Sequence, residues 1–235
     1  MLAITNHTFS YEAEEALSKL GHRTLRLPPH PNLPSPVSSH PDMLLFFASG
    51  AIFTTKSYCK IAKNELKEIS LTYGTPIHCI DAEYQNEYPG DVLLNALPMG
   101  ENLFCNTKTV ARELLELGTN PNHVNQGYTK CSVLPLGEQA LITSDASIAE
   151  KAIDIEVDVL QIQAGHISLS GYDYGFIGGC ASFAPRGGID TVFFYGDLFL
   201  HPEGEKIKSF CEKHGYRIQC LSNTPLCDIG TIFII

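Results

Sequence analysis

The stretch Asp42-Met43-Leu44-Leu45-Phe46-Phe47-Ala48-Ser49-Gly50-Ala51-Ile52-Phe53-Thr54 decides how this chain folds. Met43 to Phe47 is an unbroken apolar run of strand length. Ser49-Gly50 is a turn signal, and Ala51 to Thr54 is a second run, so the segment reads as a hairpin of two buried strands. Downstream, Ile61, Leu66 and Ile69 are spaced for one helical face, and Gly74 stops that helix. Pro76-Ile77-His78-Cys79-Ile80 then reads as a third strand. The unit is strand, strand, helix, strand.

The same order recurs along the chain, and a recurring supersecondary unit is the signature of a repeat architecture. From Asp91, Val92 to Leu97 and Leu103 to Cys105 flank the turn Met99-Gly100-Glu101. Thr107 reads as the N-cap of a helix carrying Val110, Leu114 and Leu117, and Gly118 as its stop. From Cys131, the strands Ser132–Leu136 and Gln139–Ile142 precede a helix from Ser144 and a strand over 157–162. From Tyr174, the strand Gly175–Cys180 and the strand Thr191–Tyr195 precede a helix from Pro202 to Gly215 and a strand over 216–221.

A fifth copy starts at Cys227 and stops at Ile235. Its missing half is at the other end: the strand Leu2–Thr5, a helix capped by Ser10 with Ala13, Ala16, Leu17 and Leu20, and the strand His22–Leu27. Starts at 42, 91, 131, 174 and 227 are 40 to 53 residues apart, and the interval that closes through the chain ends is 50.

One such unit cannot bury its sheet and helix alone, but five around an axis can, and joining the terminal strands leaves no open repeat edge. The expected fold is therefore an α/β ring of five ββαβ repeats, covering approximately 42–90, 91–130, 131–173, 174–226, and 227–235 plus 1–41, as a single domain over 1–235. A doubly wound open sheet also alternates strands and helices, but it predicts single strands between helices rather than hairpins.

Composition narrows the partners. Charged residues are 18 % and hydrophobic residues 44 %, an ordinary globular balance, and the net charge of −10 disfavours a phosphate backbone. Lys206-Ile207-Lys208 is the densest basic group and reads as a solvated helix face. No nucleic-acid partner and no membrane partner is expected. The N-terminus lacks the basic and apolar regions of a signal peptide, and no apolar run reaches the length of a membrane span. Eight cysteines at 59, 79, 105, 131, 180, 211, 220 and 227 show no C-x-x-C spacing. Cytoplasmic thiols buried as small hydrophobes are the simplest reading. Cys59, Cys79, Cys105, Cys211 and Cys220 read as packing. No cofactor is expected: the phosphate-loop pattern is absent, and Gly178-Gly179 reads as a place of close backbone approach. No metal site is assigned, although Asp42, Asp91 and Asp228 around one axis are a set a divalent ion could use.

Five modules with one split between the termini resemble the pentein fold of guanidino-group-modifying enzymes. That superfamily includes arginine deiminases, dimethylarginine hydrolases and amidinotransferases, and also a non-enzymatic ribosome anti-association factor. More narrowly, Gly171-Tyr172-Asp173-Tyr174-Gly175-Phe176-Ile177-Gly178-Gly179, the pair His201-Pro202 and Pro225-Leu226-Cys227-Asp228-Ile229-Gly230 look like an uncharacterised bacterial family assigned to that fold. The resemblance implies a five-bladed β/α propeller closed by the N- and C-terminal strands. In the enzymes the catalytic Cys lies on the first strand of the C-terminal module, which is the place of Cys227. The partner His stands in a His-x-Asp motif one module earlier, where this chain has Tyr172-Asp173-Tyr174. The module before that gives an acidic residue, and the matching place here is near Lys130-Cys131. The His-x-Asp of this chain, His40-Pro41-Asp42, is in another module, and Asp91 stands where the family often binds substrate.

The leading residues of the repeats should converge on the axis. Cys227 and His40 are the candidate nucleophile and general acid/base. Asp42, Asp91, Asn95, Cys131, Tyr172, Asp173 and Asp228 are the candidate substrate-binding residues, since carboxylates accept paired hydrogen bonds from a planar guanidinium. An equally weighted role for each of the three repeat-start aspartates, Asp42, Asp91 and Asp228, is to accept backbone N–H bonds at its junction. Two functions follow. One is a Cys-dependent hydrolase or transferase acting on guanidino or amidino compounds. The other is a non-catalytic binding or interaction protein that keeps the ring without the full Cys/His/acid triad. A small-molecule ligand fits both, and the oligomeric state is not readable.

Overall fold

A computed structural model describes residues 1–185 and 190–235. The N-terminal half-unit runs β1 (Leu2–Thr5), α1 (Tyr11–Lys19) and β2 (Arg23–Arg26). Helix α1 starts where the Ser10 hydroxyl accepts the Ala13 N–H at 3.2 Å, and it buries Ala13 and Leu17. The chain then passes through the helical turn α2 (Pro41–Leu44) into β3 (Phe46–Ala48), β4 (Ala51–Thr55), α3 (Lys56–Ile61), α4 (Lys63–Tyr73) and β5 (Ile77–Ile80). The next unit is β6 (Leu97–Met99), β7 (Asn102–Cys105), α5 (Arg112–Leu115) and β8 (Asn120–His123). The third is β9 (Val133–Leu136), β10 (Ala140–Thr143), α6 (Ala146–Asp154) and β11 (Asp158–Gln161). The fourth is β12 (Ser182–Phe183), β13 (Thr191–Phe194), α7 (Gly204–Lys213) and β14 (Arg217–Cys220), and β15 (Ile232–Ile234) follows.

Three units form sheets of the same order, β3-β4-β5, β6-β7-β8 and β9-β10-β11, each an antiparallel hairpin followed by a parallel strand across a helix. The split unit is joined as the sequence requires. β15 pairs antiparallel with β1, Ala3 opposite Ile234 and Ile4 opposite Phe233, and β2 adds parallel to β1. Among the described residues five small sheets thus make five blades. Aromatic side chains lock neighbouring blades together: Phe47 and Phe183 both pack on Phe233, at ring-centroid distances of 4.4 and 5.8 Å.

Four local expectations are corrected. The fourth unit has no strand over Gly175–Cys180. Only Ala181 bridges Phe194, β13 pairs with β14, and β12 instead adds parallel to β15. The reason is the glycine pair. A Cβ at Gly178 would strike the carbonyls of Lys130 and Val133, and one at Gly179 the Asp228 carboxylate. The Gly179 carbonyl accepts the N–H groups of Ile229 (3.0 Å) and Thr231 (2.8 Å), so this backbone serves the axis and not a hairpin. Second, residues 92–96 are turn rather than strand, and residues 41–44 coil into α2. Third, Thr107 caps nothing; its hydroxyl meets His123 at 2.8 Å, and α5 is a single turn with Ala111 at its N-cap. Fourth, Cys59 and Cys79 are not packing thiols. They are joined in a disulfide between α3 and β5, with Cα atoms 6.3 Å apart.

No helix among the described residues is long and apolar enough to cross a membrane.

Candidate functional site

The leading residues of the blades meet at one end of the ring. Asn95 ties three of them. Its Oδ1 accepts the N–H groups of Lys130 (2.7 Å) and Cys131 (3.2 Å), and its Nδ2 donates to the Asp42 carbonyl (3.1 Å) and the Cys131 sulfur (3.0 Å). Every one of these atoms is buried, so the amide holds a junction and has no hydrogen-bonding capacity left for a ligand.

Asp228 is held as firmly. Its Oδ2 accepts the Phe176 N–H and its Oδ1 the Gly230 N–H, both at 2.9 Å, and His40 Nδ1 stands 3.7 Å from Oδ1. Burial pushes the His40 imidazole below its ordinary range, against the pull of Asp228, so the neutral ring is favoured. Asp42 is fully buried, its N–H donates to the Gly230 carbonyl at 3.1 Å, and neither carboxylate oxygen has a hydrogen-bond partner among the described residues. Burial raises this carboxyl to about 7, with Lys130 opposing and Asp228 adding to the rise.

Lys130, which sequence reasoning passed over as the place of a missing acid, is the buried cation of the cluster. Its Nζ donates to the Gly178 carbonyl (3.3 Å) and Thr231 Oγ1 (3.2 Å) and lies 5.3 Å from the Phe183 ring centre. Burial lowers its pKa, and Asp42 opposes that.

In front of this cluster opens a cavity of about 230 Å³. Its polar lining is His40, Cys131, Asp173 and Asp228; its aromatic lining is Tyr128, Tyr172, Tyr174 and Phe176; Val37, Met43 and Leu169 complete it. Tyr172 and Tyr174 are 44 % and 41 % exposed, so they form the mouth, while Phe176 and Tyr128 stack deeper at 6.3 Å. Tyr128 donates its hydroxyl to Asp91 Oδ2 at 2.5 Å. Burial raises the Asp91 carboxyl and this hydrogen bond opposes the rise.

Of the residues singled out from sequence, His40, Cys131, Tyr172, Asp173 and Asp228 line the cavity. Asp42, Asp91 and Asn95 stand behind its wall. Cys227 faces elsewhere. Consecutive residues of an extended chain point to opposite sides, and Asp228 takes the axial side. The Cys227 side chain packs against the apolar cluster of Phe9, Ala13, Leu17, Phe193 and Ile229. Its sulfur is 3.7 Å from the Asp228 carbonyl, and burial raises its pKa. The Cys131 thiol is pushed up further, by burial and by the carboxylates of Asp42 and Asp228. Both environments favour the thiol over the thiolate. The rings Tyr128, Tyr174 and Phe176 were not among the sequence candidates. The period-2 pattern Tyr172-Asp173-Tyr174-Gly175-Phe176 is the only signal for Tyr174 and Phe176, and Tyr128 carries none.

A family of unknown function, DUF6873, matches residues 4–233, and the chain belongs to that family. No curated protein is similar to it in sequence. Among solved structures it is similar to a dimethylarginine dimethylaminohydrolase of Pseudomonas aeruginosa complexed with citrulline, with a TM-score of 0.51 and 11 % identity over 93 % of this chain and 91 % of that one. It is also similar to an amidinotransferase of the saxitoxin biosynthetic pathway from Microseira wollei, at 0.53 and 11 % over 90 % and 76 %. A Campylobacter jejuni agmatine deiminase matches at 0.52 and 7 % over 94 % and 76 %. At these identities the likeness shows the fold, which is the pentein fold of guanidino-modifying enzymes.

Proposed function

We propose that this DUF6873 chain takes up a small organic cation of the guanidino or amidino class in its axial cavity, and that it acts as a binding protein rather than as a hydrolase working through Cys227. The observation that carries the reading is the lining. Four aromatic rings surround a space whose carboxylates are Asp173 at the edge and Asp228 within. Aromatic faces attract a flat or alkylated cation, and a carboxylate fixes its N–H groups. The fold neighbours are named for action on molecules of this chemical class. That supports the ligand class without extending their reactions to this chain.

A second reading has one observation in its favour: His40 and Cys131 share the cavity. Chemistry on a bound amidino carbon would then run through the Cys131 thiol, with His40 moving the proton.

Calorimetric titration with arginine, agmatine and methylated guanidines tests the first reading. Binding should weaken at least ~10-fold in Tyr172→Ala and in Asp173→Asn, which alter exposed groups and leave the buried cluster alone. No heat and no competition by any of these cations up to ~10 mM would sink it. Turnover abolished by Cys131→Ser and kept by Cys227→Ser would select the second reading.

A further inference from the structure

The disulfide between Cys59 and Cys79 lies outside the axial cavity and reaches the surface. Cys79 is exposed and Cys59 half-exposed. Two shallow hollows flank it. One is lined by both cysteines with Lys56, Lys60 and Lys63, the other by both cysteines with Leu66, Lys67 and Ile77. All four lysines are exposed. Lys56 pairs with Asp81 at 3.0 Å. Among the described residues Lys60, Lys63 and Lys67 have no ion pair. On a chain with a net charge of −10, this is a local concentration of positive charge around an accessible sulfur pair.

We propose that Cys59–Cys79 is a thiol–disulfide exchange site selective for small anionic thiols, with the lysines gathering the anion. The chemistry follows from exposure. The thiolate of a carboxylate-bearing thiol attacks the Sγ of Cys79, the more exposed of the two residues. The S–S bond breaks, and its electron pair leaves on Cys59, whose new thiolate is stabilised by the neighbouring ammonium groups. A mixed disulfide on Cys79 results. A second small thiolate attacks the small-molecule sulfur of that mixed disulfide and releases Cys79 as a thiolate. Two small thiols are oxidised to their disulfide, the protein disulfide is reduced, and both protein thiolates take up protons from water. In the oxidising direction the same mixed disulfide is a modified form of the protein, and the lysines retain it by its carboxylates.

The test uses the whole oxidised chain and three thiols compared per thiolate: glutathione as the anionic probe, 2-mercaptoethanol as the neutral one and cysteamine as the cationic one. Reduction is followed by intact mass and by peptide mapping of the quenched adduct. Glutathione should react ~10-fold or more faster than cysteamine at low ionic strength, and the gap should close in ~0.5 M salt. The adduct should map to Cys79. In the doubly substituted Lys60→Gln, Lys63→Gln chain the preference should vanish while the 2-mercaptoethanol rate stays within about twofold. Equal rates for the three thiols would overturn the proposal. So would a preference that survives the lysine substitutions, an adduct on Cys59, or a purified chain with all eight thiols free.

Discussion

Asp42→Asn gives the sharpest test of the buried charge cluster. Asp42 is fully buried, both its carboxylate oxygens lack hydrogen-bond partners among the described residues, and its pKa is raised from 3.8 to about 7. The folded chain therefore holds a proton that the unfolded chain releases near 4. Below that point the group has no effect on the folding equilibrium. As pH rises from about 4 to 7 the unfolded state binds fewer protons than the native state, so stability falls across that window and levels off above it. A tenfold change in a proton-binding constant is about 1.4 kcal/mol, which caps the loss near ~4 kcal/mol. Relaxation around the charge reduces the measurable part to ~2 kcal/mol.

Asparagine keeps the shape and removes the titration. Urea unfolding from pH 4.5 to 8.5 should show the two proteins converging at the acid end, with the variant more stable by ~2 kcal/mol at the alkaline end. His40 titrates in an overlapping window with the opposite sign. Its lowered pKa adds stability above its ordinary 6.5 that is lost as pH falls, so the difference between the proteins, not either curve, carries the information. A variant less stable than the parent at pH 8, by an amount that does not change with pH, would refute the reasoning. Asp42 would then be an ion held favourably by Lys130.

Three further outcomes are expected. Gly230→Ala should cost ~2 kcal/mol or more in chemical denaturation, because Gly230 has φ +74° and its Cβ would meet the His40 side chain; a loss below ~0.5 kcal/mol would contradict the packing. Tyr128→Phe leaves Asp91 without its hydroxyl donor and should cost ~1–3 kcal/mol, with the Asp91 carboxyl moving further up in a carboxyl-resolved NMR titration. Cys227→Ser should lower the thermal midpoint modestly, as a polar atom replaces sulfur in an apolar cluster, and should leave cation binding within about twofold; a large loss of binding would place Cys227 at the ligand after all.

The architecture was legible because apolar runs and glycine stops repeat at similar intervals, and because two incomplete halves sum to one interval. The site was legible only in part. Sequence spacing brings residues to one end of an axis, but a single residue of offset decides which of two neighbours faces inward. That is why Asp228 lines the cavity and Cys227 does not. Strand β8, Asn120-Pro121-Asn122-His123, went unread because asparagine and proline carry no strand signal; it exists because β7 offers it an edge, Phe104 opposite Asn122. The Cys59–Cys79 bond was invisible for a related reason. The two residues are 20 positions apart, and only the crossover from α3 to β5 brings them together.

The pairing of β1 with β15 sets an order of events during synthesis. Ala3 meets Ile234 across nearly the whole ring, so β1 leaves the ribosome before the other strands of the ring and is among the latest to find its second neighbour. At ~5–20 residues per second, β1 waits roughly ten to fifty seconds with an unpaired edge. The sheets β3-β4-β5, β6-β7-β8 and β9-β10-β11 can form locally in the meantime, but the split one cannot. A circular permutant opened at the exposed Ser49-Gly50 turn would make that long-range pairing a local one, but it would separate β3 from β4, Phe46 opposite Phe53, and so move the closure to another blade. It should fold at a rate similar to the parent's and to a similar final stability, with the waiting edge passed from β1 to β4.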